Sequence, residues 1–202
     1  MKQILLICVL VALVGCGTTS WVSDTSDPNN VKIEAAIRKA AKKPTGELTK
    51  ADLEKVTRLD FHNDQLTDVT ALEKCTQLKY LDLTDNKLTE APKGLEKLTK
   101  LTFLELRGNQ LTEVPKELEK LTKLTRLRLD YNKLTDVKGL EKLTQLERLW
   151  LDDNQLTSVK GLEKLTKLTD LFLHDNPDLT KTQIAELQKA LPKCQILSNP
   201  TK

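Results

Sequence analysis

The chain has few aromatic residues and no surplus of charge of either sign. Aromatic residues make up 3% of the sequence, so a core has to be built from aliphatic side chains. The 32 basic and 29 acidic residues nearly cancel, and no basic stretch is interleaved with aromatics that could stack on bases. This balance argues against nucleic-acid binding, and we expect no nucleic-acid partner.

Residues that could carry catalysis or hold a metal ion are also scarce. The two histidines, His62 and His174, lie in the first and last of six sequence repeats, too far apart to share a metal ion. No cysteine or serine accompanies either histidine at the positions predicted to face solvent, so a nucleophile with an adjacent base is missing. We therefore predict a non-enzymatic protein without a metal site or a cofactor.

The chain has one long apolar run, residues 4–14, which follows the positively charged Lys2. A membrane-spanning helix needs about 20 apolar residues, whereas this shorter run suits a secretory signal sequence. It ends in Leu13-Val14-Gly15-Cys16, which resembles a bacterial lipobox. The resemblance implies a signal peptide over residues 1–15, cleavage before Cys16 and a diacylglycerol on the cysteine sulfur. An ordinary signal peptide with an incidental cysteine, giving a secreted soluble protein, is the alternative.

The residues after Cys16 indicate where such a lipoprotein would reside. Gly17 follows the cysteine, and no aspartate stands there to resemble an inner-membrane retention signal. The resemblance therefore favours an exported protein that is lipid-anchored in the outer membrane of a bacterial envelope, on the periplasmic or the surface side. Buried acyl chains contribute about 0.8 kcal/mol per methylene, enough for stable anchoring when several chains are present.

Short helices are predicted on both sides of the repeats. An apolar stripe that includes Ile33 and Ile37 predicts a helix over residues 31–43, and Thr49 with Asp52 predicts the start of a second one. Thr180 with Gln183 predicts a third helix at the C-terminal end. The predicted organisation is a signal peptide (1–15), a flexible tether (16–30), a helical N-terminal cap (31–55), repeats (56–179), and a helical C-terminal cap and tail (180–202).

Residues 56–179 repeat with a period of 22 or 23 residues, on the pattern L-x-x-L-x-L-x-x-N-x-L. Leucines at alternate positions predict a short strand in each coil, with the leucines inward and the residue between them outward. An amide at the end of each strand can satisfy backbone groups of a buried turn. Asp64 stands at this position in the first coil, and asparagines stand there in the others: Asn86, Asn109, Asn132, Asn154 and Asn176.

With this pattern the chain resembles bacterial leucine-rich repeat proteins of the internalin-like kind. The resemblance implies an α/β fold, a leucine-rich repeat solenoid of six coils with a short curved parallel β-sheet and helical caps. Such relatives are mostly adhesion or recognition modules, which implies a membrane-anchored, monomeric module that binds a protein or peptide through its concave sheet face. A structural envelope lipoprotein that acts as a spacer or scaffold, and a glycan-binding surface protein, are the alternatives.

The concave face is where a partner would be recognised. Its predicted positions hold five of the six arginines, five of the seven aromatic residues and both histidines, but no lysine. Arginine and aromatic residues are enriched at interface hot spots, whereas lysine is depleted there. Duplication of the lysine-rich framework explains where the lysines are but not this choice of residues. The candidate ligand-binding residues are Tyr80, Phe103, Arg107, Arg126, Arg128, Tyr131, Arg148, Trp150, Phe172 and His174.

Two interpretations of the arginines follow from the sequence. Arginine forks at mid-face are suited to bidentate capture of carboxylates on a partner, with Trp150 and Phe172 as the apolar anchor. The alternative is that the arginines are neutralised within the molecule by Asp130, Asp152 and Asp153, in surface pairs that contribute little.

Overall fold

The computed structural model describes residues 26–200, which form a parallel sheet lined by short 3₁₀ helices and covered by α-helices at its ends. The predicted signal peptide, Cys16 and the first part of the predicted tether lie outside the described residues. Between residues 26 and 200, no helix is long and apolar enough to cross a membrane.

Each coil contributes one three-residue strand, and every strand pairs in parallel with the strand of the next coil. The middle residue of each of the first six strands is a leucine with at most 3% of its surface exposed. The strands are β1 Arg58–Asp60, β2 Tyr80–Asp82, β3 Phe103–Glu105, β4 Arg126–Arg128, β5 Arg148–Trp150, β6 Asp170–Phe172 and β7 Gln195–Leu197. Six of them are the strands that the leucine pattern predicts, so the predicted solenoid is confirmed.

The return segments form short 3₁₀ helices on the convex side, and each buries a leucine against the sheet. Several begin after a glycine with a positive φ, such as Gly139 at 99° and Gly161 at 108°, a conformation that L side chains rarely adopt. The bounds of these 3₁₀ helices are Thr70–Lys74, Leu95–Lys97, Lys116–Lys120, Leu140–Lys142 and Leu162–Lys164.

Aliphatic side chains fill the space between the sheet and the 3₁₀ helices of the convex side, as the scarcity of aromatic residues requires. Leu98, Leu121 and Leu143 are fully buried at one repeat position, and Cys75 fills the same position, fully buried, in an earlier coil. Burial raises the pKa of the Cys75 thiol to about 12, so it behaves as a small hydrophobic residue.

Asparagine side chains bridge the turns that follow the strands. The Nδ2 group of Asn132 donates to the backbone oxygens of Leu106 (3.0 Å), Leu129 (3.1 Å) and Asp130 (3.3 Å). Its Oδ1 accepts from the backbone N–H of Leu111 at 3.0 Å. Each asparagine therefore satisfies groups in its own coil and in the preceding one. Comparable bonds are made by Asn86, Asn109, Asn154 and Asn176.

The N-terminal cap consists of α1 (Pro28–Ala41) and α2 (Lys50–Leu53). The first helix begins at Pro28 rather than at Val31, so the prediction of a flexible tether up to residue 30 was wrong at its end. The Asp27 carboxylate accepts from the backbone N–H of Asn29 at 2.8 Å, and proline suits the first helical turn because it has no N–H to satisfy.

The C-terminal cap adds a strand that the repeat pattern does not predict. The capping box of Thr180 and Gln183 starts α3, Lys181–Ala190, as the sequence indicates. After α3 the chain returns to the sheet, where β7 pairs with β6 and places Leu197 beside Phe172. The segment 180–202 was expected to be helix and tail, because a single strand outside the repeats has no periodic signal. The open edge of β6 supplies the backbone partners.

We expect the hydrogen bonds of the asparagine side chains to contribute a large part of the free energy of unfolding of the solenoid. Replacing Asn132 by alanine leaves the buried Leu111 N–H without a partner and removes one of the hydrogen bonds to each of three carbonyls. We expect the free energy of unfolding to fall by about 2–3 kcal/mol. Equilibrium denaturation with guanidinium chloride measures this change.

Lys133→Ala is the matched control, since Lys133 is the exposed neighbour of Asn132 and its loss should change the free energy by less than about 0.5 kcal/mol. Equal stabilities of the Asn132→Ala variant and the control would contradict the role given to the asparagines.

Candidate functional site

The solvent-facing side chains of the sheet form rows that run from coil to coil, because the parallel strands are in register. We call this surface the concave face. The first row holds the first residue of each strand: Arg58, Tyr80, Phe103, Arg126, Arg148, Asp170 and Gln195. The second row holds the third residue of each strand: Asp60, Asp82, Glu105, Arg128, Trp150, Phe172 and Leu197.

In the first row, two arginines enclose two aromatic rings. The guanidinium carbon of Arg58 lies 3.5 Å from the ring centroid of Tyr80. The Tyr80 and Phe103 rings meet edge to face, with centroids 5.1 Å apart, and Arg126 lies 6.0 Å from the Phe103 centroid. These cation–π and aromatic contacts hold four of the outward side chains in a continuous line.

In the second row, the C-terminal end is apolar. The Trp150 and Phe172 rings are stacked, with centroids 5.3 Å apart and an interplanar angle of 4°. Leu197 of β7 extends the row beyond Phe172. On the other side, the Arg128 guanidinium lies 5.6 Å from the Trp150 ring centroid. We call Trp150, Phe172 and Leu197 the apolar platform. Leu197 was missed by sequence reasoning because β7 lies outside the repeat pattern.

In the middle of the concave face, the arginines form ion pairs with carboxylates of the same molecule. Arg128 binds Asp130 through two bonds, Nε to Oδ1 at 3.1 Å and Nη2 to Oδ2 at 2.9 Å, and lies 3.7 Å from Glu105. Arg107 Nε lies 3.4 Å from Asp130 Oδ2. Burial alone would lower the pKa of the Arg128 guanidinium. The hydrogen bond to Asp130 and the negative charges of Asp130 and Glu105 have the larger effect, so the pKa is raised. Asp130 was expected to face solvent, yet it is only 2% exposed because two arginines cover it.

Towards the C-terminal end, two further candidates have partners within the molecule. Arg148 Nε lies 3.1 Å from Asp170 Oδ2. Asp152 Oδ1 accepts from the backbone N–H of His174 at 2.8 Å and lies 3.1 Å from its Nδ1. Of the candidate arginines, Arg126 makes no carboxylate contact within the described residues. The interpretation of mutual neutralisation therefore holds for Arg107 and Arg128, which share Asp130 as expected. Arg148 is neutralised by Asp170 rather than by the expected Asp152 or Asp153.

Tyr131 has an unusual backbone for a bulky residue. It follows Asp130 with a φ of 57°, at a repeat position where the other coils have asparagine, aspartate or glycine, all with positive φ. The side chain is 50% exposed, and its ring centroid lies 4.7 Å from the Arg107 guanidinium. The charge and hydrogen bond of Asp153 raise the pKa of the phenol. Exposed aromatic residues in a disfavoured conformation are typical of functional positions rather than of folding requirements.

A shallow recess of about 580 Å³ opens in the concave face beside Tyr131. Gly108 lies at its edge, packed so closely against Asp85 that a Cβ there would be 1.8 Å from Asp85 Oδ1. Thr84 is only 6% exposed and lies in the lining. The lining residues are His62, Asp82, Thr84, Asp85, Glu105, Arg107, Gly108, Arg128 and Tyr131. Sequence reasoning missed this recess because its lining comes from several coils.

Within residues 26–200 no group of three or more histidine, cysteine, aspartate or glutamate side chains could hold a metal ion. The concave face instead combines ordered aromatic side chains, engaged arginines and an open recess. Arginine and aromatic side chains of this kind are enriched at interface hot spots.

Replacing Tyr131 by asparagine should stabilise the fold. Asparagine tolerates a positive φ better than tyrosine does. The substitution removes only an exposed cation–π contact and a surface hydrogen bond. We expect the midpoint of unfolding in guanidinium chloride to rise by roughly 0.2–0.5 M. Tyr131→Phe, which keeps the ring and the backbone preference, should leave the midpoint nearly unchanged. A lower midpoint for Tyr131→Asn would show that the tyrosine is retained for stability.

Comparisons with known proteins agree with this geometry. A family model described as a leucine-rich repeat region matches residues 47–199. A leucine-rich repeat protein of Leptospira interrogans is 35% identical, with a TM-score of 0.65, over 72% of this chain and 38% of that protein. The functional domain of InlJ from Listeria monocytogenes is 29% identical, with a TM-score of 0.67, over 84% of this chain and 37% of that one.

Internalin C2 from Listeria monocytogenes shares the fold at 23% identity and a TM-score of 0.58, over 87% of this chain and 94% of that one. This chain spans less than half of the Leptospira protein and of the InlJ domain. Among curated proteins none matches the sequence. Because the family model covers most of the chain and its repeat geometry is present in the structure, the protein belongs to the leucine-rich repeat family.

Proposed function

We propose that this protein is an exported lipoprotein, anchored through Cys16, that recognises a protein partner with its concave face. The leucine-rich repeat fold is a protein-interaction module, which supports the coarser part of this proposal. The observation that carries the finer part is the apolar platform, an ordered cluster of large side chains on the solvent side of an open sheet.

The apolar platform favours a binding module over a passive scaffold. Folding requires only the inward leucines and the asparagine bridges, and the outward positions could all be polar. Trp150 and Phe172 are instead partly exposed and stacked next to Arg128. Aromatic residues beside an arginine are the composition of interface hot spots.

The platform also favours a protein or peptide over a glycan. A sugar ring stacks on an aromatic face that is open to solvent. Trp150 has Phe172 against one face and Arg128 on another side, and Phe172 has Trp150 on one face. Mainly the edges of these rings remain available, and ring edges pack well against aliphatic and aromatic side chains.

The platform, rather than the arginine forks, is the stronger anchor. Arg128 already binds Asp130 through two hydrogen bonds, and Arg148 is paired with Asp170. Replacing Arg128 by alanine would leave the buried Asp130 with Arg107 as its arginine partner. This variant would therefore test the stability of the fold as much as it tests binding. Substitutions in the platform avoid this ambiguity.

The double variant Trp150→Ser/Phe172→Ser should abolish partner capture. We expect affinity purification of the tagged chain from crosslinked envelope to recover at least about tenfold less partner than the unmodified chain, because the apolar anchor is lost. Lys142→Ser, an exposed change on the convex side, is the control and should not alter recovery. Equal recovery from all three proteins would favour the structural scaffold instead.

Membrane anchoring is tested separately. Metabolic labelling with a palmitate analogue should tag the unmodified chain and should not tag Cys16→Ser, because the thiol is the predicted site of the diacylglycerol. Cys194→Ser serves as the control, since Cys194 is a buried free thiol and its loss should leave labelling intact. Unlabelled protein in the unmodified strain would mean an ordinary signal peptide and a secreted protein.

A further inference from the structure

We infer that one edge of the solenoid lies on the anionic phospholipid headgroups of the membrane that carries the protein. This edge consists of the segments that lead from the 3₁₀ helix of each coil into the next strand. We call it the lysine edge, and its segments are residues 74–79, 97–102, 120–125, 142–147 and 164–169. The inference rests on the proposed anchoring through Cys16, which brings the domain close to a bilayer.

The five segments of the lysine edge stack directly on one another. The backbone N–H of Thr102 donates to the carbonyl of Lys79 at 2.9 Å, and the N–H of Thr125 donates to the carbonyl of Thr102 at 2.9 Å. The same ladder continues from Glu147 to Thr125 and from Thr169 to Glu147, each at 2.8 Å. Side chains at equivalent positions therefore form rows along the edge, with neighbours about 4.8 Å apart along the backbone.

The lysine edge concentrates positive charge. It contains nine lysines, all exposed, and one acidic residue, Glu147, whereas the whole chain has a net charge of only +3. The turns that follow the strands form the opposite edge, which holds nine acidic and six basic residues in the ranges 61–69, 83–94, 106–115, 129–139 and 151–161. An anionic surface attracts the first edge more strongly than the second, and it therefore orients the solenoid.

The charges of the lysine edge are largely unneutralised within the molecule. In the part of the chain that the structure describes, one of the nine lysines has a carboxylate within 4.0 Å, Lys97 beside Glu96. The glutamates of the last two 3₁₀ helices bind backbone instead. Glu163 accepts from the N–H of Gly161 at 2.6 Å, at the start of its own helix, and Glu141 makes the corresponding bond at 2.7 Å. The lysine ammonium groups thus remain available to an external anion.

The fold does not require lysine in this place. Lys100, Lys123 and Lys167 share one repeat position with Gln77 and Gln145. A neutral side chain therefore fits the same site in the coil, and the charge of the three lysines is not a condition of folding.

The residue types favour a lipid surface over a protein or a nucleic acid. Every cation of the edge is a lysine, and the five segments contain no arginine and no aromatic residue. Protein interfaces are enriched in arginine and aromatic residues and depleted in lysine, and single-stranded nucleic acids stack on aromatic side chains. A lysine ammonium acts as a point charge on a flexible stem, which fits a fluid layer of phosphates without fixed geometry.

The length of chain before α1 is compatible with this orientation. Eleven residues separate Cys16 from Pro28, and an extended chain of that length spans at most roughly 40 Å. Anchoring alone therefore does not fix which side of the solenoid faces the bilayer, and the lysine edge supplies the orientation. The strands then run away from the bilayer, and the concave face remains accessible to a partner.

The test is lysine footprinting of the lipidated protein on vesicles. Protein purified from the envelope is inserted from outside into preformed vesicles of equal parts phosphatidylglycerol and phosphatidylcholine, or of phosphatidylcholine alone. Brief acetylation with sulfo-N-hydroxysuccinimide acetate, followed by mass spectrometry, gives the acetylation rate of each lysine.

We expect the lysines of the edge to react at least about fivefold more slowly on the vesicles that contain phosphatidylglycerol, because each lysine near an anionic surface strengthens the association about fivefold. The exposed lysines of the opposite edge are internal controls and should react equally on both kinds of vesicle; they are Lys87, Lys93, Lys133, Lys138 and Lys160. In 1 M sodium chloride the Debye length falls to about 3 Å, so the protection should disappear.

The double variant Lys100→Gln/Lys123→Gln removes two charges from the lysine edge and introduces the residue that Gln77 and Gln145 already place there. We expect the protection of the remaining lysines of the edge to fall from about fivefold to less than about twofold.

Lys87→Gln/Lys133→Gln is the matched control. It removes the same charge from the opposite edge, at a repeat position where Gln65, Gln110 and Gln155 stand in the other coils. This variant should keep the full protection of the lysine edge.

Three outcomes would overturn the inference: equal acetylation rates on the two edges, the same protection on phosphatidylcholine alone, or equal protection in the two double variants. Palmitate labelling separates these outcomes from a failure of the proposed anchoring. A labelled protein with an unprotected lysine edge would remove the lipid contact alone. An unlabelled protein would remove the proposed anchoring and this inference with it.

Discussion

The solenoid depends on satisfying the backbone of tight turns that are buried in an aliphatic core. A coil of 22 or 23 residues must reverse direction next to leucines, where water cannot reach its N–H and carbonyl groups. Each asparagine solves this problem for two coils at once, because its amide donates to carbonyls of its own and of the preceding coil. The same bonds fix the register of neighbouring strands. The rows of the concave face follow directly from that register.

The fixed framework leaves chemical variety to the outward positions, and these positions divide the face into regions. Carboxylates and the recess occupy the N-terminal part, arginines paired with Asp130 occupy the centre, and the apolar platform occupies the C-terminal end. The central ion pairs position the side chains on both sides, since Arg128 also lies against Trp150 and Arg107 against Tyr131. Charge in this protein therefore organises the surface more than it offers free groups to a partner.

Local and periodic signals made much of this fold predictable. The leucine period gave six strands, and the pairs Thr49 with Asp52 and Thr180 with Gln183 gave two helix starts. The start of α1 at Pro28 was missed because its signal is a cap and a proline rather than an apolar stripe. β7 could not be predicted because its partner is the edge of β6.

The candidate site was predictable in composition but not in its contacts. Sequence reasoning placed the aromatic and arginine side chains on one face, because that follows from alternation along each strand. The burial of Asp130 depends on arginines from two coils, and the recess depends on side chains from several coils. Parallel strands lie about 4.8 Å apart, so β2 beside the recess and β5 under the platform are about 14 Å apart. The spacing of the strands therefore sets a distance: an extended chain that contacts both places would need about four residues between its two contacts.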